Sequence, residues 1–118
     1  MHIDRSEFGS ITIDGKTYDH DITIDLSHHI SKRHKKLSKE LYGTSHVLSK
    51  AEIKQIFEKG SDLSIIGSGQ QGNVRLSPEA EGYLAKHGCM VLLQPTQDAI
   101  KSYNRAHGHK IALMHVTC

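Results

Sequence analysis

The chain has 118 residues, of which 36% are hydrophobic and 24% are charged, and its formal net charge is +2. This length suffices for one domain that buries roughly two-thirds of its unfolded surface, and so mild a positive charge requires no nucleic-acid partner. No stretch approaches the roughly 18 apolar residues of a membrane-spanning helix, and no secretory signal follows Met1. We therefore expect a cytoplasmic protein with reduced thiols and without a membrane partner.

The N-terminal part of the chain predicts antiparallel strands. Residues 8–13 alternate in polarity and meet Asp14-Gly15, which is typical of tight hairpin turns, and residues 16–18 return. Residues 21–26 alternate again, with their apolar side chains on one face. Residues 27–43 are polar and basic, and we expect a ragged hairpin there followed by a loop.

The remainder predicts helices that alternate with apolar strands. Ser49 and Glu52 have the spacing of a capping box that opens a helix ending at Gly60, and Ser77 caps a second helix. The second helix ends at Gly88, and a third runs from Thr96 to the region of residue 108. Apolar strands follow at residues 63–66, 90–93 and 111–116. This order predicts parallel pairing with right-handed crossovers.

The predicted fold is a three-layer, single α/β domain over residues 1–118. It has a central mixed, mostly parallel sheet and an added N-terminal antiparallel β hairpin. The strands at 63–66 and 90–93 should be parallel neighbours that are covered on both sides, because both are nearly continuous apolar runs.

Several segments taken together resemble a known family. They are FGSITIDGKTYDHDI, GTSHVLS, IIGSGQQG, SPEA, PTQDAIKSYN and ALMHVTC, and they span residues 8–118. The chain resembles the small domain-of-unknown-function family that includes the adipogenesis-associated domain protein and, more distantly, a mitochondrial respiratory complex I assembly factor. The resemblance implies a three-layer α/β fold, no established catalytic residues, and a role as an assembly or regulatory partner. Residues 26–30 depart from the family pattern, since Ser27-His28-His29 replaces a Pro-Asp-Gly-type turn.

The glycine-rich loop after residues 63–66 has the GxGxxG spacing of a dinucleotide site, with Gly67, Gly69 and Gly72. The helix that should follow is displaced to Ser77, and no acidic residue follows the next strand. We therefore expect no cofactor, and we expect Gly67 and Gly69 to serve backbone geometry first. A crevice at residues 67–72 still provides the alternative function, a small-molecule or anion-binding enzyme.

The predicted ligand-binding residues combine this loop with two histidines that could lie beside it. They are Gly67, Ser68, Gly69, Gln70, His46 and His115. A nucleophile paired with a histidine base, for example Cys118 with His115, is an alternative that linear spacing does not support. Cys89 is expected to be a small buried side chain.

The basic run Lys32-Arg33-His34-Lys35-Lys36, extended by Lys39, could contact phosphate or an acidic protein surface. It lacks interleaved aromatic side chains for base stacking, so we expect a solvated loop and no nucleic-acid partner. The histidines at residues 28, 29, 34, 107 and 109 lack cysteine or carboxylate partners at ligand spacing, and we predict no metal site. These observations favour a non-enzymatic domain that binds an unidentified protein, and they leave the oligomeric state open.

Overall fold

The computed structural model describes residues 1–117, so Cys118 lies outside the described residues. Its strands, in chain order, are β1 Ile3–Glu7, β2 Ser10–Ile13, β3 Lys16–Tyr18, β4 Ile22–Ile24, β5 Ile30–Lys32, β6 Val47–Leu48, β7 Leu63–Ser68, β8 Arg75–Leu76, β9 Met90–Gln94 and β10 Lys110–His115. The helices are α1 Lys36–Tyr42, α2 Lys50–Ile56, α3 Pro78–Lys86 and α4 Thr96–Arg105. No helix in residues 1–117 is both long and apolar enough to span a membrane.

The N-terminal strands form their own antiparallel sheet, in the order β1-β2-β3, in addition to the central sheet. The predicted hairpin between β2 and β3 is confirmed, and both Asp14 and Gly15 have the positive φ that its turn requires. The sequence pattern missed β1, because its buried residues Ile3 and Ser6 are separated by two exposed ones.

The central sheet is mixed and has the strand order β5-β4-β10-β7-β9. The predicted parallel pairing of β7 with β9 is confirmed, and β10 is parallel to β7 on the other side. The pairs β4–β5 and β4–β10 are antiparallel, so the sheet is evenly mixed and not mostly parallel. The expectation that β9 is covered on both sides is wrong, since β9 is the edge strand and Met90 and Leu93 are exposed.

Each face of the central sheet carries its own apolar cluster, because neighbouring side chains of a strand point to opposite faces. Ile65 and Met114 pack with α4 and the N-terminal sheet, in a cluster that contains the fully buried Tyr103. Ile66 and Leu113 pack with α2 and α3 around Leu84. The carboxyl ends of β7 and β10 are held between these two clusters.

The helix starts agree with the sequence better than the helix ends do. Ser49 and Ser77 accept hydrogen bonds at 3.1 Å from the backbone N–H groups of Glu52 and Ala80, as caps do. The chain leaves the helical conformation at Phe57 in α2 and at Ala106 in α4, so the prediction that these two helices end at glycines is wrong.

The prediction of a solvated loop after the hairpin at residues 22–32 is also wrong. Residues 36–42 form α1, and Arg33 is buried although it lies inside the basic run. Periodicity missed this helix because its buried side chain is Ser38, whereas Leu41 faces solvent. A helix that buries a serine has no apolar stripe to recognise.

Candidate functional site

Three neighbouring strands of the central sheet bring charged side chains to one place. Asp21 directly precedes β4, Arg33 directly follows β5, and His115 is the last residue of β10. The antiparallel register pairs Ile22 with Lys32 and with Met114, so the next positions along these strands meet at the same end of the sheet. All three side chains are buried.

The Arg33 guanidinium is the centre of this group. Its Nη1 donates to Asp21 Oδ2 at 2.9 Å, and its Nε donates to Glu52 Oε2 at 2.5 Å. Its Nη2 donates to Glu52 Oε1 at 3.1 Å and to the Ser45 carbonyl oxygen at 2.6 Å. The fork geometry of arginine suits such bidentate pairing with a carboxylate.

Two helices complete the group. Glu52 comes from α2, and its carboxylate also accepts a hydrogen bond from the Ser38 hydroxyl of α1. The Ser49 N–H donates to Ser38 Oγ at 2.9 Å, in place of the bond to Glu52 that a reciprocal capping box would have. The predicted helix start is therefore confirmed, but Glu52 pairs with Arg33. We call Asp21, Arg33, Ser38, Glu52 and His115 the Arg33 network.

The electrostatics of the Arg33 network favour its ionised carboxylate and guanidinium. Burial alone would raise the pKa of Asp21, but hydrogen bonds from His115, from the Val116 N–H and from Arg33 lower it to about 2. Burial opposes the charged form of Arg33, whereas Glu52 and Asp21 raise its pKa above the ordinary value. In residues 1–117 no buried side-chain nitrogen or oxygen lacks a hydrogen-bond partner. The polar groups of this network are thus satisfied internally.

The structure brings some of the sequence-predicted ligand residues close to this network. Ser68 pairs with His115 across β7 and β10, and the ring centroids of His46 and His115 are 5.5 Å apart. Thr96 links the loop to the strand, because its Oγ1 accepts from the Gly69 N–H at 2.9 Å and donates to the His115 carbonyl at 2.6 Å. The Gly69 N–H therefore already makes a hydrogen bond to Thr96 and is not available to a bound phosphate.

The other predicted residues have different surroundings. The Gln70 side chain contacts Ser6 of β1 and Gln97 of α4. A Cβ on Gly67 would lie 2.7 Å from Met114 Sδ and 3.0 Å from Thr96 Oγ1. Gly67 is therefore required by close packing, whereas Gly69 has the positive φ that the sequence led us to expect of at least one of the two.

A carboxylate, an imidazole and a hydroxyl also lie in series here. Asp21 Oδ2 is 2.7 Å from His115 Nδ1, and His115 Nε2 is 3.2 Å from Thr117 Oγ1. A hydrolytic triad has the same order, but its nucleophile must also face bound substrate. Three cavities, of about 210, 260 and 110 Å³, open elsewhere on the described surface. None of these three is lined by His115, His46 or residues 67–70.

The structure also shows the surroundings of Cys89 and of the histidines considered as metal ligands. Cys89 is buried as predicted, and burial raises the pKa of its thiol, which makes it a weak nucleophile. Residues 1–117 contain no group of three or more histidine, cysteine or carboxylate side chains arranged to hold a metal ion.

Sequence reasoning missed Asp21, Arg33, Ser38 and Glu52 as members of one site. One signal was present in the basic run, since Arg33 is its one arginine among lysines and a histidine. Arginine is less strongly hydrated than lysine and is preferred for buried ion pairs. Its carboxylate partners lie 12 and 19 positions away along the chain, where no local pattern connects them.

We expect Gly69→Ala to lower the free energy of unfolding by about 1–2 kcal/mol, because a Cβ is disfavoured at positive φ. Gly69 has a φ of 100°. Gly82→Ala in α3 is the matched control: its new Cβ meets nothing within 4 Å, and alanine is the better helix former. Urea titration of both variants makes the comparison. Equal stability of Gly69→Ala and wild type would contradict a requirement for glycine at this position.

Comparison with known proteins identifies the family. The family model described as "Protein of unknown function (DUF498/DUF598)" matches residues 3–114. The crystal structure of the conserved hypothetical protein PH1505 from Pyrococcus horikoshii OT3 is similar to this chain, with 35% identity, a TM-score of 0.91 and full coverage of both chains. The protein MT938 is 33% identical, with a TM-score of 0.82 over 99% of this chain and 98% of its own.

A more remote likeness agrees in fold. The solution structure of a Bordetella pertussis protein described as a Mth938-like domain has a TM-score of 0.69 at 12% identity and covers 98% of this chain and 85% of its own. At that identity the likeness concerns the fold alone. The chain therefore belongs to the DUF498/DUF598 family of proteins of unknown function, and its mixed-sheet α/β domain has the Mth938-like fold.

Proposed function

We propose that this protein is a single-domain, non-enzymatic binding protein that docks an acidic surface of another protein, as an assembly or regulatory factor of the cytoplasm. The observation that carries the proposal is the burial of Arg33 within an otherwise exposed basic run. We define the basic surface as the exposed residues Lys32, His34, Lys35, Lys36 and Lys39.

The Arg33 network fixes the basic surface to the body of the domain. Arg33 holds one side of the run through Asp21 and Glu52, and Ser38 holds α1 through Glu52 and Ser49. A lysine-rich loop would lose much conformational entropy on binding, whereas a segment that is already ordered loses less. The ordered conformation of residues 32–39 thus favours a role of this segment in binding a partner.

Apolar side chains at the end of α1 adjoin the lysines. Leu41 is 66% exposed and Tyr42 is 37% exposed. The Tyr42 hydroxyl lies 3.3 Å from Glu79, which orients the ring at the surface. Tyrosine is enriched in the centres of protein interfaces, while surrounding charges steer association and select the partner. This combination fits a partner with carboxylates around a small apolar patch.

The resemblance to the adipogenesis-associated domain family supports the same class of function, since the roles known for that family are those of assembly or regulatory partners. The buried, free Cys89 is compatible with a reducing compartment.

Charge reversal tests this proposal. For the triple variant Lys35→Glu, Lys36→Glu, Lys39→Glu we expect the recovery of proteins that the wild type captures from cell extract to fall by about tenfold or more. The reversed charges would repel the acidic surface of the partner. The control Lys16→Glu, Lys59→Glu, Lys86→Glu makes the same change of net charge at other exposed lysines. Quantitative mass spectrometry of the captured proteins gives the comparison, after circular dichroism has verified folding. Equal capture by both variants would refute the proposed surface.

A further inference from the structure

The edge strand β9 is an open surface on the opposite side of the central sheet from the basic surface. It pairs with β7 on one side and ends the strand order, whereas β5, which contains Lys32, ends the other side. Met90 is 72% exposed and Leu93 is 40% exposed. Proteins usually protect such edges with charged residues, proline or bulges, but residues 90–94 contain none of these.

The direction of the backbone groups of β9 defines what could pair with it. The Met90 N–H donates to the Asp62 carbonyl at 2.9 Å, and the Met90 carbonyl accepts from Ser64 Oγ at 3.0 Å, so the polar backbone groups of Met90 point toward β7. Successive residues of a strand alternate in this direction. The N–H and C=O groups of Val91 and Leu93 consequently point outward, symmetrically about Leu92.

We infer that a second copy of this chain pairs with β9 in antiparallel orientation, about a two-fold axis at Leu92. In that register Val91 of one copy exchanges both backbone hydrogen bonds with Leu93 of the other, and the symmetry repeats the exchange. Leu92 lies opposite its own copy as a non-hydrogen-bonded pair. The result is a continuous sheet of ten strands, in which the outward backbone groups of β9 are satisfied.

The side chains of β9 are self-complementary in this register. Met90 lies opposite Gln94 of the other copy, and Val91 lies opposite Leu93. No charged side chain meets its own copy, so no like charges oppose each other across the axis. The exposed side chain of Leu93 becomes covered by Val91 of the other copy, and that of Met90 by the uncharged Gln94. Pro95, which lacks an N–H, ends the pairing at the fifth residue.

The neighbouring helix adds charge complementarity. Ser102 of α4 donates to Gln94 Oε1 at 2.7 Å, so the helix face that carries Ser102 lies over β9. Asp98 and Arg105 share that face by their spacing, and both are exposed. Since α4 runs back along β9 from its carboxyl end, the two-fold axis brings the Asp98 end of one helix beside the Arg105 end of the other. A second copy thus meets opposite charges beside an uncharged strand.

Sedimentation analysis of the wild type and of three lysine variants tests this interface. We expect the wild type to show twice the 13.1 kDa chain mass at micromolar concentration. Met90→Lys and Leu93→Lys place charges against an apolar partner strand and should weaken dimerisation by about tenfold or more. Leu41→Lys changes an equally exposed apolar side chain on α1 and should leave the dimer intact. A monomeric wild type, or a dimer that survives both β9 variants, overturns the inference.

Crosslinking identifies the register and does not depend on the lysine variants. With Cys118→Ser as background, Leu92→Cys should give a covalent dimer under mild oxidation, because Cα atoms of a non-hydrogen-bonded pair lie about 4.5 Å apart, within disulfide reach. The control Leu41→Cys should remain uncrosslinked. Failure of Leu92→Cys to crosslink in a protein that is dimeric would mean that another surface forms the dimer. That outcome overturns the β9 interface and leaves the proposed function at the basic surface untouched.

Discussion

Replacing Arg33 with methionine is expected to lower the free energy of unfolding by about 3–5 kcal/mol, because it leaves two buried carboxylates without their cation. Arg33 bonds both Asp21 and Glu52, and the side chains of the three residues are at most 8% exposed. Small domains are stable by only about 5–15 kcal/mol, so this loss is a large fraction of the total. Chemical denaturation followed by circular dichroism measures it.

Two further variants test whether the stability lost in Arg33→Met comes from the unpaired buried carboxylates. Arg75→Met removes an exposed arginine, and we expect its effect to stay within about 0.5 kcal/mol. Adding Glu52→Gln to Arg33→Met removes one of the two buried carboxylates that lack a cation, so the double variant should recover part of the lost stability. If Arg33→Met proves as stable as Arg75→Met, the Arg33 network does not hold the domain together.

Asp21 should give the domain a distinct loss of stability in acid. Its pKa falls from an ordinary 3.8 to about 2 in the folded protein, so its stabilisation is present above about pH 4 and is lost as pH falls toward 2. The shift corresponds to about 2 kcal/mol. Asp21→Asn should therefore be less stable at pH 7 and show a flatter decline between pH 4 and pH 2. Urea titrations at several pH values measure both effects.

The control for this experiment is Asp98→Asn, which removes an exposed carboxylate and keeps Asp21. It should retain the acid-dependent decline that Asp21 provides. A decline of equal steepness in Asp21→Asn and wild type would mean that other groups cause it, and that the bond between Asp21 and His115 does not favour the ionised carboxylate.

Local signals predicted the elements that depend on neighbours in sequence. Asp14-Gly15 identified the β2–β3 hairpin, and Ser49 and Ser77 identified helix starts, because turns and caps are made within a few residues. The same logic failed for α1. Its helix is stabilised by Ser38, which bonds Glu52 from α2, and no pattern within α1 reports that contact.

The candidate site shows the same division. The sequence predicted the glycine loop, His46 and His115 as one set of ligand-binding residues, and it placed the loop at the carboxyl end of a parallel strand, where ligand crevices lie. It did not predict the hydrogen bond from the Gly69 N–H to Thr96, because the sequence indicates only a helix start at Thr96. One side chain thus changes the loop from a candidate phosphate site into a connection fixed by internal hydrogen bonds.

The alternation of helices and strands, the parallel pairing of β7 with β9, and a positive φ at Gly67 or Gly69 could all be predicted from the sequence, because each follows from local geometry or from the length of the connections. The anchoring of the basic run by Arg33, the separate sheet of the N-terminal strands and the open edge at β9 became visible only in the folded domain. These features depend on contacts between residues far apart in the chain. Such contacts are chosen by the pairing of buried charge and by strand order, and neither leaves a periodic pattern in the sequence.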